Sequence, residues 1–461
     1  MTEPREAETN ATEDDFRLSQ QDLEAIGKAI DDADSAALDA LLLPVHAADI
    51  ADLIEQLTPA RRRAFLSLYS GEIDGEILSE IDEAVRDEVI EQLPREVLAE
   101  AVREMDSDDV VDLVEDMDAP EREEILSALD ESDRAAVEQS LTYPEYSAGR
   151  LMQSEVVTAP EHWTVGETID FLRAEEWLPD QFYHVILVDP RRHPIGYVTL
   201  GRLLASRRNA PLRDITEDSF RTVSVMQDEG DVALAFNKYH LISAPVVDEH
   251  DRLVGVITID DAMSVLDEEH EEDILRLAGV GEDSAITDTV AETLRQRLPW
   301  LMINLATAIV ASLVIAMFEG TIQQIVALAV LMPIVASMGG NAGTQTLTVS
   351  VRALATKSLT GSNVWRVVRR EAIVGVLNGL AFALVMGIVA WVWFDGISLA
   401  AVIGIAMVVN LAVAALAGIL IPLGLEKVGA DPALASGTFV TTVTDVVGFF
   451  AFLGLASAVL L

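Results

Sequence analysis

Cysteine is absent from the 461 residues, which excludes a disulfide framework and every thiolate metal site. Histidine stops at His270, so the remaining 191 residues hold none of the imidazole ligands that suit zinc, copper or nickel. Lysine occurs only at Lys28, Lys238, Lys357 and Lys427. No phosphate-cradling G-x-x-x-x-G-K-[ST] loop is present, so nothing in the chain points to nucleotide hydrolysis. Charge itself is scarce in the last third. From Leu298 to Leu461 the acids are Glu319, Glu371, Asp395, Glu426, Asp431 and Asp445, and the bases are Arg352, Lys357, Arg366, Arg369, Arg370 and Lys427.

What is there is divided sharply. The net charge is −46, and because six acids balance six bases after residue 297, the whole imbalance lies before it. Such a surface repels nucleic acid and anionic lipid and attracts cations. A lysine-poor, acid-rich surface is also that of proteins in a salt-rich cytoplasm, where most carboxylates serve solvation. Both readings apply to residues 1–297. The opening Met1-Thr2-Glu3-Pro4-Arg5 has no apolar core, so no secretory signal is expected and this half is placed in the cytosol.

Residues 1–18 are polar and acidic and are expected to be disordered. Residues 19–142 read as an all-α, superhelical domain with a loose repeat. Asp52-Leu53-Ile54-Glu55-Gln56-Leu57 is echoed by Glu88-Val89-Ile90-Glu91-Gln92-Leu93 and by Asp112-Leu113-Val114-Glu115-Asp116-Met117. From 143 the pattern turns to short β-rich runs alternating with helices, and it repeats. His184-Val185-Ile186-Leu187-Val188-Asp189 with Gly196 lines up with Ala244-Pro245-Val246-Val247-Asp248 with Gly255, both pairs 59 residues apart. This tandem α+β unit resembles a pair of CBS domains, 143–208 and 209–268. The resemblance implies an adenine nucleotide, ATP included, held in the second copy by Thr258 and Asp261 of Gly255-x-x-Thr258-x-x-Asp261. The first copy has Arg202 where the Asp would stand.

Residues 269–297 read as a charged connecting helix with a break at Gly279-Val280-Gly281. Five apolar spans follow, at about 298–318, 321–349, 372–394, 399–424 and 434–459. The bases fall on one side of them, so the positive-inside rule places the N-terminus in the cytosol and the C-terminus outside. Asp445 breaks the pattern. It lies about 16 Å into its span at ~1.5 Å per residue, near the middle of a hydrocarbon core ~30 Å thick, and an ionisable residue at that depth is by default functional. Helix-breaking and polar residues gather in the second, fourth and fifth spans: Pro333, Gly339 to Gln345, Asn410, Pro422, Thr441 and Thr444. Glycines let helix backbones approach closely, and a broken helix at this depth is tolerated where it lines a cavity, so a hydrophilic path is expected. The ligands on offer are carboxylate, amide, hydroxyl and carbonyl oxygens, which suit Mg²⁺ or Ca²⁺. Mg²⁺ dehydrates reluctantly and would pass largely hydrated. Two Asp445 side chains would balance one divalent ion, which points to a homodimer.

Arg297-Leu298-Pro299-Trp300-Leu301, the Pro333 to Gln345 stretch, Asp431-Pro432-Ala433 and Thr441-Thr442 with Asp445 and Gly448 resemble the MgtE magnesium transporter/channel family. The order of domains is similar from about residue 20 onward. The resemblance implies a multidomain membrane protein, not an enzyme: an acidic helical N-domain, a CBS pair, a connecting plug helix (269–297) and a five-helix transmembrane domain (298–461). It implies a homodimer in a lipid bilayer that takes up Mg²⁺ and binds no nucleic acid. Asp445 would recruit the hydrated ion, with Asn341, Gly340, Asn410 and Ala433 in matching motifs. Cytosolic Mg²⁺ would close the pore by binding Asp261, Glu269, Glu272 and Asp273, with Asp106, Asp108 and Asp109 of the N-domain. Thr438, Thr344 and Ser264 depart from the pattern, the last standing where a further acid is expected. Transport of Co²⁺ or Ca²⁺, or a non-conducting membrane sensor, are the competing functions.

Overall fold

A computed structural model describes residues 18–69, 73–115, 117–175, 177–179, 181–217, 220–281, 284, 289–433 and 436–461. Residues 1–17 of the expected disordered tail, 282–283 and 285–288 of the expected connecting helix, and the first two residues of the fifth expected span lie outside the described residues. The chain divides into two compact units, Met1–Leu266 and Asp267–Leu461.

In the first unit, ten short helices among the described residues run from α1 (Gln20–Asp31) to α10 (Glu131–Ser140) around one apolar core that includes Ile54, Phe65, Leu78, Val89 and Val114. Polar N-caps set where several begin: Asp34 accepts from Ala37 N at 3.1 Å and Asp74 from Ile77 N at 2.9 Å. The loose repeat has a mechanical meaning. Arg62, five residues after Leu57, donates to the carbonyls of Ile54 (3.0 Å) and Leu57 (3.1 Å), the open end of α3 (Ala47–Gln56). Arg122, five after Met117, donates in the same way to Val114 (3.0 Å), Glu115 (3.0 Å) and Met117 (2.9 Å) at the end of α8 (Ser107–Glu115). Each guanidinium satisfies carbonyls that a helix leaves unpaired. The ion pair Arg62–Glu88 recurs as Arg86–Asp112, displaced by one 24-residue step.

The CBS region is two three-stranded sheets. Strand β1 (Thr158–Pro160) runs parallel to β2 (His184–Val188), which pairs antiparallel with β3 (Pro194–Thr199); β4 (Val223–Ser224), β5 (Ser243–Val247) and β6 (Leu253–Thr258) repeat the order. His184 opposes Thr199 as Ser243 opposes Thr258, and the register slips after Leu187 as it does after Val246. The 59-residue offset is thus preserved residue by residue. After a short α11 (Ala148–Leu151), helix α12 (Val165–Ala174) starts at a Thr164–Glu167 capping box, and α13 (Leu200–Ala205), α14 (Glu229–Tyr239) and α15 (Ile259–Ala278) complete the two copies. Helix α15 runs unbroken to Ala278 and stops at Gly279, whose φ of +72° suits a residue without Cβ.

The second unit holds five helices long and apolar enough to cross a membrane. They are α16 (Val290–Met317), α18 (Ala327–Ala355), α19 (Val364–Phe394), α20 (Ile397–Lys427) and α21 (Ser436–Leu460), with a short α17 (Glu319–Gln324) after the first. Helix α16 begins eight residues before the expected span, from a Thr289–Glu292 capping box. Helix α18 is continuous through Pro333 and the glycines. Those glycines allow close packing. A Cβ on Gly343 would meet Val440, and one on Gly418 would lie 2.7 Å from the Gly343 carbonyl. Helix α20 is the most enclosed, burying Ile403, Ala406, Met407, Asn410 and Ala414. Leu301, Leu305, Ile309 and Leu313 of α16 and Leu377, Leu380, Leu384 and Ile388 of α19 are exposed, as lipid-facing side chains are.

Candidate cation path and sensing cluster

Helix α18 has two unlike faces. Leu328, Leu331, Val335, Gly339, Gly343 and Leu347 are buried. The opposite side exposes Ser337, Asn341, Thr344, Gln345 and Thr348, a polar stripe at helical spacing about 17 Å long at ~1.5 Å per residue. Thr344 and Thr348 turn their hydroxyls back to the carbonyls of Gly340 and Thr344, both at 3.0 Å. That leaves the amides of Asn341 and Gln345 as the outward donors and acceptors. Polar side chains do not face hydrocarbon by choice, so this face requires water, an ion or another chain.

Helix α21 supplies the carboxylate. Asp445 is half-buried, and among the described residues it forms no hydrogen bond or ion pair with a side chain. One turn earlier Thr441 approaches α18, 3.9 Å from where a Cβ on Gly340 would stand. Gly340 therefore borders the α18 face that meets α21, while Asn341 stays exposed on the polar stripe. Asn410 does not line that face. It has no exposed surface; its Nδ2 donates to the Val335 carbonyl at 2.8 Å, and its Oδ1 has no partner among the described residues. Gly339 and Gly448 press on it: a Cβ on Gly448 would lie 2.8 Å from Nδ2, and one on Gly339 would also collide. Asn410 is an interhelical post among α18, α20 and α21.

Ala433 is buried with Leu277, Leu347, Val351 and Val440, and its N–H donates to Asp431 Oδ1 at 2.7 Å. Arg276 near the end of α15 bridges Glu272 (2.9 Å) and Asp431 (3.1 Å). Burial, then the nearby Asp431 carboxylate, raises the Asp273 pKa. Ala433, expected with the Asp445 motifs, thus lies instead beside Glu272 and Asp273, expected as sensing acids, and the residue that joins them, Asp431, was signalled only by its Asp-Pro-Ala motif. Glu269 is exposed on α15.

In the first unit, Asp108 and Asp109 of α8 face Asp261 in the first turn of α15. Burial, then the Asp261 charge, raises the Asp108 pKa well above its ordinary value and brings that of Asp109 to about 7. Asp261 is raised as well, chiefly by burial, although it accepts a 2.6 Å hydrogen bond from Thr258. Asp106 is exposed at the same end of α8. Among the described residues Asp108, Asp109 and Asp261 form no ion pair. Ser107 donates to Glu155 at 2.8 Å and accepts from Ser154 N at 2.7 Å, which fixes α8 against the CBS pair; neither partner was anticipated. Among the described residues no three carboxylates or histidines are grouped to enclose a bare metal ion. The clustered hard-oxygen donors, with charge left uncompensated, fit a hydrated divalent cation held through its waters.

Thr258 also lines a small cleft with Gln153, Tyr183, His184 and Ser243. His184 and Ser243 occupy equivalent positions of the two copies and are hydrogen-bonded to each other. In the first copy Thr199 caps the N–H of Arg202 (3.2 Å), whose guanidinium pairs with Glu217 (3.2 Å).

Comparison with known proteins places these features. Residues 332–455 match the MgtE model described as a divalent cation transporter, residues 45–146 match the MgtE intracellular N domain, and 148–209 and 212–268 each match a CBS domain. The magnesium transporter MgtE of Enterococcus faecalis is 33% identical over 321 residues, covering 70% of this chain and 71% of that protein. The chain belongs to the MgtE family. MgtE of Thermus thermophilus is 33% identical over 329 residues, 71% of this chain and 73% of that one, and MgtE of Bacillus subtilis is 29% identical over 323 residues, 70% and 72%. Among solved structures, the cytosolic domain of the Mg²⁺ channel MgtE in complex with ATP is 29% identical, with a TM-score of 0.49 over 53% of this chain and 100% of that one.

Proposed function

We propose that this MgtE-family protein is a homodimeric Mg²⁺ channel whose path runs between the α18 and α21 helices of two chains. The observation that carries the reading is the pairing of an outward polar stripe on α18 with an unpartnered carboxylate, Asp445, inside otherwise apolar helices. A second copy would turn that face from lipid toward a shared aqueous axis. Two Asp445 carboxylates would then attract one divalent ion, while the Asn341 and Gln345 amides accept from or donate to its water shell. Thr344 and Thr441 complete a wall of oxygens without a ligand strong enough to strip the hydration, which suits Mg²⁺. With the N-terminus cytosolic and the C-terminus outside, the membrane potential drives entry with about 4.6 kcal/mol per 100 mV for two charges.

Closure belongs to the acids of the N-domain, the CBS pair and the connecting helix. Asp108, Asp109 and Asp261 repel one another when no cation is bound, and a bound hydrated Mg²⁺ would hold α8 to the second CBS copy. Glu272, Asp273 and Asp431 are the corresponding acids of the second unit, with Glu269 and Asp106 as outer contributors. An adenine nucleotide would use Thr258 and Asp261, so one nucleotide site per chain is expected, because Arg202 occupies the equivalent place in the first copy.

The test is Mg²⁺ uptake into proteoliposomes at low and high Mg²⁺ on the cytosolic face. Asp445→Asn, which keeps the shape and removes the charge, is expected to abolish uptake, and Asp108→Asn with Asp261→Asn to leave uptake running at high cytosolic Mg²⁺. An Asp445→Asn dimer that conducts as well as wild type would leave the non-conducting sensor as the better account. Competition by Co²⁺ or Ca²⁺ at equal concentration measures the selectivity.

A further inference from the structure

Five of the six bases of the second unit's apolar region lie at one elbow, the end of α18 and the start of α19. They are Arg352, Lys357, Arg366, Arg369 and Arg370, opposed there only by Glu371, which pairs with Arg370 at 2.9 Å. All five are exposed, and so is Trp365 at 80%. The elbow is built rather than loose. Leu359 and Val368 are buried against Leu354, Ile419 and Leu423, Asn363 donates to the Ser358 carbonyl at 2.8 Å, and its Oδ1 accepts from Thr360 N at 2.9 Å.

The position along α19 decides what meets this charge. From Ala372 to Phe394 the helix is apolar, about 34 Å at ~1.5 Å per residue, enough to cross a ~30 Å hydrocarbon core. The eight residues before it reach about 12 Å further, through the headgroup layer. Arg366, Arg369 and Arg370 then stand at headgroup level on one side. Trp365 and Trp393 lie about 42 Å apart along the axis, matching the ~40–45 Å between the outer limits of the two headgroup regions, where tryptophan concentrates. In a chain of net charge −46, this is where the membrane unit attracts anions.

We propose that the α18–α19 elbow is a binding surface for anionic phospholipid headgroups, with Arg366 and Arg369 as the principal phosphate contacts and Trp365 as the interfacial anchor. Fixing arginines on a rigid elbow distinguishes a binding surface from a bias that only sets topology. A juxtamembrane base contributes roughly a five-fold gain in affinity for an anionic surface, so removing two should lower headgroup preference about 30-fold.

The experiment reconstitutes the full chain into phosphatidylcholine vesicles with a minor fraction of phosphatidylglycerol, one or the other brominated near the glycerol end of its chains. Quenching specific to Trp365 is obtained by subtracting the signal of Trp365→Phe, and lipids retained on the detergent-solubilised protein are counted by native mass spectrometry. Wild type is expected to be quenched more by brominated phosphatidylglycerol than its bulk fraction predicts, and to retain it in preference to phosphatidylcholine. Arg366→Gln with Arg369→Gln should lose both preferences while still inserting into vesicles; the corresponding double lysine variant should keep them. Quenching in proportion to bulk composition in wild type would overturn the proposal, as would a preference that survives the double glutamine variant. Loss of the preference on adding inorganic phosphate would assign the arginines to a free anion. Absence of quenching by either lipid would assign the elbow to carboxylates of this or another protein chain.

Discussion

Asn410 illustrates how one residue sets the spacing of a path that it does not line. Its amide is wedged between Gly339 and Gly448, and Gly448 follows Asp445 by three residues, so the depth of Asp445 relative to the α18 stripe depends on this contact. A methyl group on Gly448 has 2.8 Å to the amide nitrogen, closer than side chains tolerate. Gly448→Ala is expected to destabilise the helix bundle by about 1–3 kcal/mol and to slow Mg²⁺ uptake. In an Asn410→Ala background the same change should cost much less, because the clashing amide is gone. Thermal melting of the four proteins of the cycle measures the coupling; additive losses would show that the glycine serves another neighbour.

His184 makes a prediction about pH. Burial lowers its pKa to about 4 from the ordinary 6.5, so the folded CBS pair holds it neutral against Ser243. A depressed histidine pKa means that the unfolded chain takes up the proton first. The contribution to stability is full above pH 6.5 and is lost as pH falls toward 4. Melting temperature of wild type should therefore drop through that window more steeply than that of His184→Gln. Equal slopes would mean that other groups govern acid unfolding.

At the scale of elements, the arginine that closes each helix end carries more than its surface position suggests. Arg122 gives three hydrogen bonds to carbonyls at the end of α8, the helix that bears Asp108 and Asp109. Charged hydrogen bonds contribute roughly 1.5–3 kcal/mol each before coupling, so Arg122→Leu should destabilise the N-domain by about 2–4 kcal/mol and weaken its response to Mg²⁺. Denaturant melts monitored with and without Mg²⁺ check both effects.

What the sequence revealed of these elements follows from the range of the interactions. The CBS repeat was readable because strand register depends on a local pattern, and the 59-residue offset passes unchanged from Leu187/Gly196 to Val246/Gly255. The helical repeat was readable as apolar spacing, but Arg62 and Arg122 fall outside the repeated words, so their capping role was hidden. Close approach at the glycines of α18 was readable, but which neighbours they admit was not. At Gly343 and Gly418 the missing side chains admit a neighbouring backbone while the helix hydrogen bonds remain. Asp445 stood out because hydropathy makes any midspan carboxylate conspicuous, whereas the inward position of Asn410 needed the packing of three helices.

For the whole molecule, the unsettled matter in the sequence was how much of −46 is salt adaptation and how much is sensing. The structure separates two populations of carboxylate. Asp22, Asp39 and Glu96 are spread over exposed faces, where monovalent cations screen them within a Debye length of about 8–10 Å. Asp108, Asp109 and Asp261 face one another at a partly enclosed junction where burial adds to repulsion. KCl should stabilise the full chain gradually by acting on the first population, while Mg²⁺ should act at far lower concentration on the second. A ligand at a hundred times its Kd contributes about 2.7 kcal/mol, roughly 5–10 °C for a unit of this size. Asp108→Asn with Asp261→Asn should raise the melting temperature without Mg²⁺, since buried repulsion is removed, and erase most of the Mg²⁺ increment while leaving the KCl slope unchanged. If the double variant flattened the KCl response and kept the Mg²⁺ response, the junction would be one more patch of salt-adapted surface, and the sensing acids would have to be sought around Asp273 and Asp431.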